Sequence, residues 1–495
     1  AQAATGVSAT ELAPTAGQAP TGVSATELTM APTAGQAPTG ISATELAPTA
    51  GQAPTGVSAT ELAPTAGQAP TGVSATELAP TAGQAPTGVS ATELTIAPTA
   101  GQAPTGVSAI EAPPTAAQAP TGVSAVAYES GGRVFMMGDA TYGQLILGST
   151  TQYSTAQEVG VPPASGVIAG PCVRISCGGQ VSIIVSENRG PTVGGGNASQ
   201  GQLGNSLWPN PPNGPTVTHA ANLGYNFVDA SHSPGLAGHT LLLKYDGTLH
   251  GTGRSVDGAL GQGQGAGLLT LLTVTSLGIS NVAQIATGAK HSIILKTDGS
   301  LWVTGLNQYG GLGTGNTTQL YTFTQILSSG VAKIASGDYH NLFVKTNGEL
   351  WGMGHNTYGQ LGDGTTTHRN SPVLIDTNVA DIAAGDGHSL FIKTDGSFWG
   401  MGYNDFGQLG DGTTTWRNLP EPLGVPVLSS GVAKVAAGKD HSLFIKTDGS
   451  LWTMGKNDYG QLGDGSTTTR AMPVQIDTNV VQISGGKHHS GYIKM

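Results

Sequence analysis

Six histidines, His239, His291, His340, His388, His441 and His489, recur in a Gly-x-x-His phrase or an eroded form of it, each followed by Ser, Thr or Asn. Imidazoles repeated in register would ring an axis, which raises metal binding. A metal site, however, needs ligands converging to about 2 Å from the ion, and a wide repeat channel holds equivalent residues apart. The alternative is a structural pin: a histidine after a tight turn whose ring bonds neighbouring backbone, dispensable in the copy where Val181 takes its place. Asp363, Asp411 and Asp464 lie in Gly-Asp-Gly-Thr/Ser phrases that resemble calcium loops in composition. They lack the alternating ligands and distal Glu of a calcium hand, so turn chemistry is the reading. No nucleophile elbow, phosphate loop or paired-carboxylate constellation is present, and no catalytic residue, metal or cofactor is assigned. Trp302, Trp351, Trp399 and Trp452, with Phe135, occur once per repeat and read as wedges between packed layers. Cys172 and Cys177, the only cysteines, are separated by an odd step. On one strand that places them on opposite faces and about 17 Å apart, hence as two buried thiols rather than a bridge.

The elements that must position these residues are legible in Val432 to Asp464. Apolar runs at Val432-Ala436 and Leu443-Ile445 precede Asp448-Gly449, a two-residue turn suited to a tight hairpin, and Leu451-Trp452 opens the next strand. A glycine-rich run, Tyr459-Gly460-Gln461-Leu462-Gly463, follows, and Pro473-Val474-Gln475-Ile476 supplies a short outer strand. Four short strands make one propeller blade. Clean copies carry His291, His340, His388 and His441, a degraded copy has His239, and another has Val181 with Gly201-Gln202-Leu203-Gly204. Arg133 to Leu145 is only the second half of a blade, and Val480 to Met495 only the first half. Joined, they complete a sheet, as closed propellers do to remove free edges. The expectation is an all-β chain: a seven-bladed propeller over residues 125–495, closed by its C-terminus, after a repetitive extended stalk over residues 1–124.

In that stalk the phrase TGVSA, with Ile41 once for Val, returns at steps of 16 or 18 residues. Both longer steps insert two residues, Thr29-Met30 and Thr95-Ile96. Two extra residues preserve the face of an extended strand but turn a helix by about 200°, and closely spaced prolines exclude a continuous helix. Gly-Val-Ser-Ala-Thr-Glu-Leu reads as a strand and Ala-Pro-Thr-Ala-Gly-Gln as a turn or polyproline-like connector. Residues 1–124 hold no Lys, Arg, aromatic residue or Cys, and seven Glu contribute to the chain's net charge of −11. Two readings follow: a disordered spacer, or a shaft in which several chains pool their apolar side chains.

Gly337-Asp338-Tyr339-His340-Asn341, Leu350-Trp351-Gly352 and Tyr358-Gly359-Gln360-Leu361-Gly362, repeated in register, resemble the repeat of the regulator of chromosome condensation family. That resemblance implies a seven-bladed propeller. The style Gly-Gln-Leu-Gly-Asp-Gly-Thr-Thr is more similar to bacterial and phage members, and the N-terminal repeats loosely resemble phage structural-protein or fibre-shaft repeats. The nuclear member's nucleotide exchange and chromatin binding are not carried over, because this chain lacks a basic arm. The acidic balance also argues against nucleic acid, and no run of eighteen apolar residues exists for membrane insertion. A chain starting at Ala1 fits either a removed leader or a missing start.

Binding is expected where the repeat fails: at Trp208 and Asn210 in the irregular stretch from Arg189 to Pro215, and at Trp416, outside the repeated tryptophan position. The expected protein is non-enzymatic, an extracellular, virion or cell-surface appendage of tail-fibre type. Its stalk self-associates as a trimer or filament, and its propeller meets a receptor or structural neighbour. The alternative is a secreted soluble propeller acting as an inhibitor or protein-binding module.

Overall fold

A computed structural model describes residues 8–12, 24–30, 42–48, 58–62, 74–78, 90–94, 108–111 and 124–125. From residue 132 onward it describes all but 143, 148–149, 160–171, 187–191, 197–202, 204–225, 235–237, 264–269 and 424–430. The chain divides into two compact units, Ala1–Ser130 and Gly131–Met495.

In the first unit strands begin at the serine of each repeated phrase, as in Ser8–Leu12, Ser24–Met30, Ser42–Pro48 and Ser58–Leu62. They pair parallel and in chain order into one eight-stranded sheet. Identical phrases favour the register in which each strand meets a copy of itself, and serine pairs with serine and glutamate with glutamate, as in Ser24↔Ser42 and Glu27↔Glu45. The step length leaves room for the long return that parallel neighbours require. An inserted pair lengthens its strand without breaking it: Thr29 and Met30 pair with Ala47 and Pro48.

The second unit is built from seven antiparallel sheets. The first blade holds Cys172–Cys177, Val181–Ser186 and Thr192–Gly196, three strands among the described residues. The second to sixth blades are four-stranded, occupying residues 227–279, 282–327, 331–376, 379–422 and 432–477. The seventh joins the chain ends: Val480–Gly485 and His489–Lys494 combine with Arg133–Gly138 and Tyr153–Glu158. His489–Lys494 pairs with Arg133–Gly138 along its whole length, from His489↔Gly138 to Lys494↔Arg133. Closure by two half-blades is thus as the repeat count predicts.

In every blade but the first, the second strand is buried from its histidine to the residue before the terminal lysine, as in His388–Lys393 and His441–Lys446; in the first, Val181–Ser186 is buried throughout. Such strands read as continuous apolar runs after the Ser or Asn because both faces pack on neighbouring blades. Pro372, Pro420 and Pro473 sit in outermost strands, where a missing N–H discourages further pairing.

The two cysteines are reduced and buried, but not on opposite faces. Five steps from Cys172 to Cys177 span only four on the partner, Ser186 to Ser182, because of a bulge between Cys172 and Arg174. The extra residue restores the parity, and both thiols enter one apolar cluster with Ile175 and Ile184.

Ring closure makes a direct prediction. A chain ending at Gly486 loses the strand that joins the half-blades, so urea unfolding followed by tryptophan fluorescence should lose its cooperative transition. An unchanged midpoint would show that the terminal strand is dispensable.

Candidate binding surface

The repeated histidines form a ring, though not a metal site. Nε2 of His239 lies 2.7 Å from Ser292 Oγ of the next blade, His340 Nε2 2.9 Å from Ser389 Oγ, and His388 Nε2 2.9 Å from Ser442 Oγ. His441 reaches Ser490 at 2.7 Å and His489 reaches Ser182 at 2.8 Å, carrying the series through the closing blade. His291 meets Asn341 Oδ1 at 3.0 Å. The direction follows from the partners. Ser292, Ser389, Ser442 and Ser490 donate their hydroxyl protons to the carbonyl oxygens of Ala259, Gln360, Gln408 and Gln461. The hydroxyls therefore accept from imidazole, and the Asn341 oxygen can only accept. These histidines are neutral and carry their proton on Nε2. The expectation that the ring bonds neighbouring backbone is corrected: its partner is the side chain of the following blade.

At the copy with Val181 the inter-blade bond is replaced by one within the next blade. Thr240, the hydroxyl that Val181's blade should reach, is bonded at 2.8 Å by Nδ1 of His232, which lies on the first strand of Thr240's own blade, and the His232 ring fills the space over Gly178. A Cβ on Gly178 would collide with the His232 ring, as one on Gly438 would collide with that of His441. The same glycine position is closed on its other side: a Cβ on Gly438 would stand 2.5 Å from the carbonyl oxygen of Gly486. Only glycine fits between its own imidazole and the neighbouring blade.

This ring offers no hydrolytic chemistry, although each pair has a nucleophile-and-base separation. Every serine proton is committed to a carbonyl or, for Ser182, to Cys177 Sγ at 3.7 Å, and the groups are fully buried. Nδ1 of His340, His388, His441 and His489 has no partner, so no carboxylate orients the base.

The first strands line the axis. Arg174 faces Asp229 at 3.9 Å and Lys333 faces Asp381 at 2.7 Å, each from one blade to the next. Lys434 donates to the Val481 carbonyl at 2.6 Å. Charges thus satisfy one another across blade boundaries. At the other end of these strands a cavity is lined by Ser176, Ser231, Thr287, Ser336 and Ser484 among alanines and glycines, together with Asp386 and Lys439.

The aspartate loops are internally bonded. Asp363 Oδ1 accepts from Asn356 Nδ2 at 3.0 Å and from the backbone N–H of Thr365 at 3.0 Å, while Oδ2 accepts from Arg369 at 2.5 Å. Asp411 with Arg417 and Asp464 with Arg470 repeat the arrangement. These carboxylates organise the loop before the outer strand. The tryptophans are wedges, as their spacing predicts: Trp351 packs on a cluster including Leu295 and Leu301 of the preceding blade, and Trp399 on Leu342 and Leu350.

Of the residues singled out for binding, Trp208 and Asn210 lie outside the described residues. Trp416 stands 44% exposed. Its Nε1 donates to Asp405 at 2.6 Å, and its ring lies 5.0 Å from Tyr358 and 5.5 Å from Tyr403. His232, Tyr358 and Tyr403 carry no assignment from the sequence; only the departure from the repeat at His232 and Tyr403 signals them.

Burial holds His232, His239, His340, His388 and His441 down to about 3, and His291 and His489 to about 4. Below the ordinary value near 6.5 the unfolded chain therefore binds more protons, and stability falls as pH drops from 6.5 towards 4. Each histidine contributes a slope of about 1.4 kcal/mol per pH unit in that window. Urea midpoints read by tryptophan fluorescence should fall steadily between pH 6.5 and 4.5; a flat profile would contradict buried neutral imidazoles.

Known proteins bear on this geometry. The RCC1-like domain model matches residues 87–422, and regulator of chromosome condensation (RCC1) repeat models match residues 432–461 and 448–493. Over 164 residues the chain is 30% identical to the E3 ubiquitin-protein ligase HERC2 of Homo sapiens, covering 33% of this chain and 3% of that one. Over 66 residues it is 33% identical to the ultraviolet-B receptor UVR8 of Arabidopsis thaliana, covering 12% and 15%. The chain thus spans a small part of the curated relatives it matches. Its fold is similar to human WBSCR16, with TM-score 0.61 and 20% identity over 73% of this chain and 99% of that one. It is also similar to Prp20p of Saccharomyces cerevisiae, with TM-score 0.60 and 19% identity over 74% and 92%, in a structure described with that protein's binding to Gsp1p and histones.

Proposed function

Because the chain belongs to the RCC1-like domain family, we propose that it is a non-enzymatic scaffold whose propeller binds protein partners through its loops. The observation that carries this reading is the fate of the repeated polar groups. Imidazoles, hydroxyls and loop aspartates are bonded within or between blades, which leaves recognition to residues outside the repeat. The buried Ser–His pairs lack an orienting acid and an accessible nucleophile, which supports a binding role over an enzymatic one. Prp20p, described with its binding to Gsp1p and histones, is a precedent for protein recognition on such a propeller. A net charge of −11 disfavours a phosphate backbone as partner.

The N-terminal unit supports a finer reading. Self-matching strands paired in parallel register are suited to a spacer that also assembles copies, as on an extracellular or virion appendage presenting its propeller to a receptor. Many weakly bound copies would then add avidity. A soluble secreted binding module needs only the propeller.

Deleting residues 1–120 separates these. In the source that makes it, the tagged full chain should purify as an assembly with a protein partner, and the deleted chain should retain the partner but run as a monomer. An assembly state unaltered by the deletion would exclude the appendage reading, and a full chain that retains no partner would exclude protein binding.

A further inference from the structure

The fourth and fifth blades depart from the repeat in a shared way. At the third residue of the turn before the second strand, other blades carry Lys290, Asp440 or His488; the fourth carries Tyr339. At the first residue after the third strand, Leu306, Lys456 and Asp139 are replaced by His355 and Tyr403. At the last residue before the fourth strand, Gln319, Thr469 and Gln152 are replaced by His368 and Trp416. The inter-blade ring requires none of these substitutions, yet blade packing brings them together.

Tyr309 bridges the third blade to the fourth, 5.4 Å from Tyr339 and 4.7 Å from His355, and His368 stacks on His355 at 4.8 Å. Tyr358 continues the row, 5.8 Å from His355 and 5.0 Å from both Tyr403 and Trp416. The fifth blade makes room for it with Gly387, where a Cβ would stand 2.9 Å from the Tyr358 ring and 3.1 Å from Tyr403 Cβ. The exposed end is oriented, since Asp405 holds the Trp416 indole N–H. Large, fixed aromatic rings of this kind give contact area at little conformational cost and are the side chains that dominate protein interfaces.

The surroundings select the partner's charge. Asp338, Asp386 and Asp257 act on Tyr339, and Asp405 and Asp440 on Tyr403, whose hydroxyl burial and Asp405 together push up to about 12. Of these groups Asp257 and Asp386 face Lys290 at 3.7 Å and Lys439 at 3.6 Å, Lys439, Lys456 and Lys487 act on Asp440, and burial with the neighbouring Asp386 holds the Asp338 carboxyl well above the usual carboxylate range. Asp405, bonded to the neutral Trp416 indole, is the acidic group of the row with no cation against it among these contacts. At the border of the row Lys456 Nζ already lies 4.4 Å from the centre of the Phe406 ring, which itself packs on Tyr403. An ammonium seated on an aromatic face beside carboxylates is thus present within the molecule.

We propose that the aromatic row from Tyr309 to Trp416 docks a lysine- or arginine-bearing segment of a partner protein, its cations set against ring faces and flanked by aspartates. This rests on the protein-binding reading above and names its surface and the partner's chemistry.

The test uses the full chain in 0.15 M salt with a fluorescein-labelled octalysine peptide, read by polarisation, and its fully acetylated counterpart as the neutral control. Octalysine should bind saturably and the acetylated peptide should not. Trp416→Ala should weaken binding about tenfold and Asp405→Asn, which keeps the ring, several-fold. Melting curves verify that both variants fold, and His368→Ala replaces Trp416→Ala if the latter melts early. No octalysine binding, or equal binding by the Trp416→Ala chain, would overturn the proposal; the latter would assign attraction to the acidic surface at large. Equal binding of the acetylated peptide, or competition by a neutral oligosaccharide, would overturn the basic partner. A natural partner that binds the Trp416→Ala chain undiminished would also overturn this surface while leaving the protein-binding reading intact.

Discussion

The bond from one blade's imidazole to the next blade's hydroxyl is the constraint on which the propeller depends. Apolar packing between wedges is strong but non-directional, and by itself tolerates sliding of one blade against another. A buried hydrogen bond is intolerant, because a misplaced partner leaves a desolvated polar group unpaired. Ser292, Ser389, Ser442 and Ser490 each bond twice into the preceding blade: Ser389 accepts from His340 and donates to the Gln360 carbonyl. The pair of bonds fixes both the second strand and the Gly-Gln-Leu-Gly loop of one blade against the second strand of the next. Both closing residues, His489 and Ser490, come from the terminal strand, so the ring and the shared sheet are completed by one element.

Other features follow from that geometry. Glycine three residues before His291, His340, His388, His441 and His489 is demanded by the ring packed over it. The leucine that ends each loop motif, Leu361, Leu409 or Leu462, is fully buried, held by an asparagine whose Oδ1 accepts its backbone N–H, as Asn356 does for Leu361 at 2.9 Å. Outside this polar layer the tryptophans fill the widening gap between blades. Lys345 and Lys393 cover Trp351 and Trp399 at 4.2 and 4.1 Å, shielding the indole faces with a cation–π contact.

Much of this was legible in the sequence because repetition multiplies a weak signal. Blade number, closure by half-blades and the structural standing of the tryptophans all follow from in-register phrases. Single events were not. His232 packs over Gly178 from the first strand of the next blade and bonds Thr240 within that blade, which no periodicity reveals, and the bulge at Cys172 adds one unpaired residue to an otherwise regular strand. The aromatic row was visible only at Trp416, since Tyr309, Tyr358 and Tyr403 become neighbours through blade packing rather than through spacing along the chain. Of the candidate binding residues, Trp416 alone can be placed, and it stands within a cluster rather than as an isolated ring.

The central claim is that the imidazole–hydroxyl bond couples adjacent blades. A double-mutant cycle on His388 and Ser442, using His388→Ala, Ser442→Ala and the double variant in urea unfolding, measures that coupling directly. The account predicts a coupling energy of about 1 to 2 kcal/mol between the two positions. Additivity to within about 0.3 kcal/mol would contradict it and leave the blades tied by apolar packing and the remaining polar contacts.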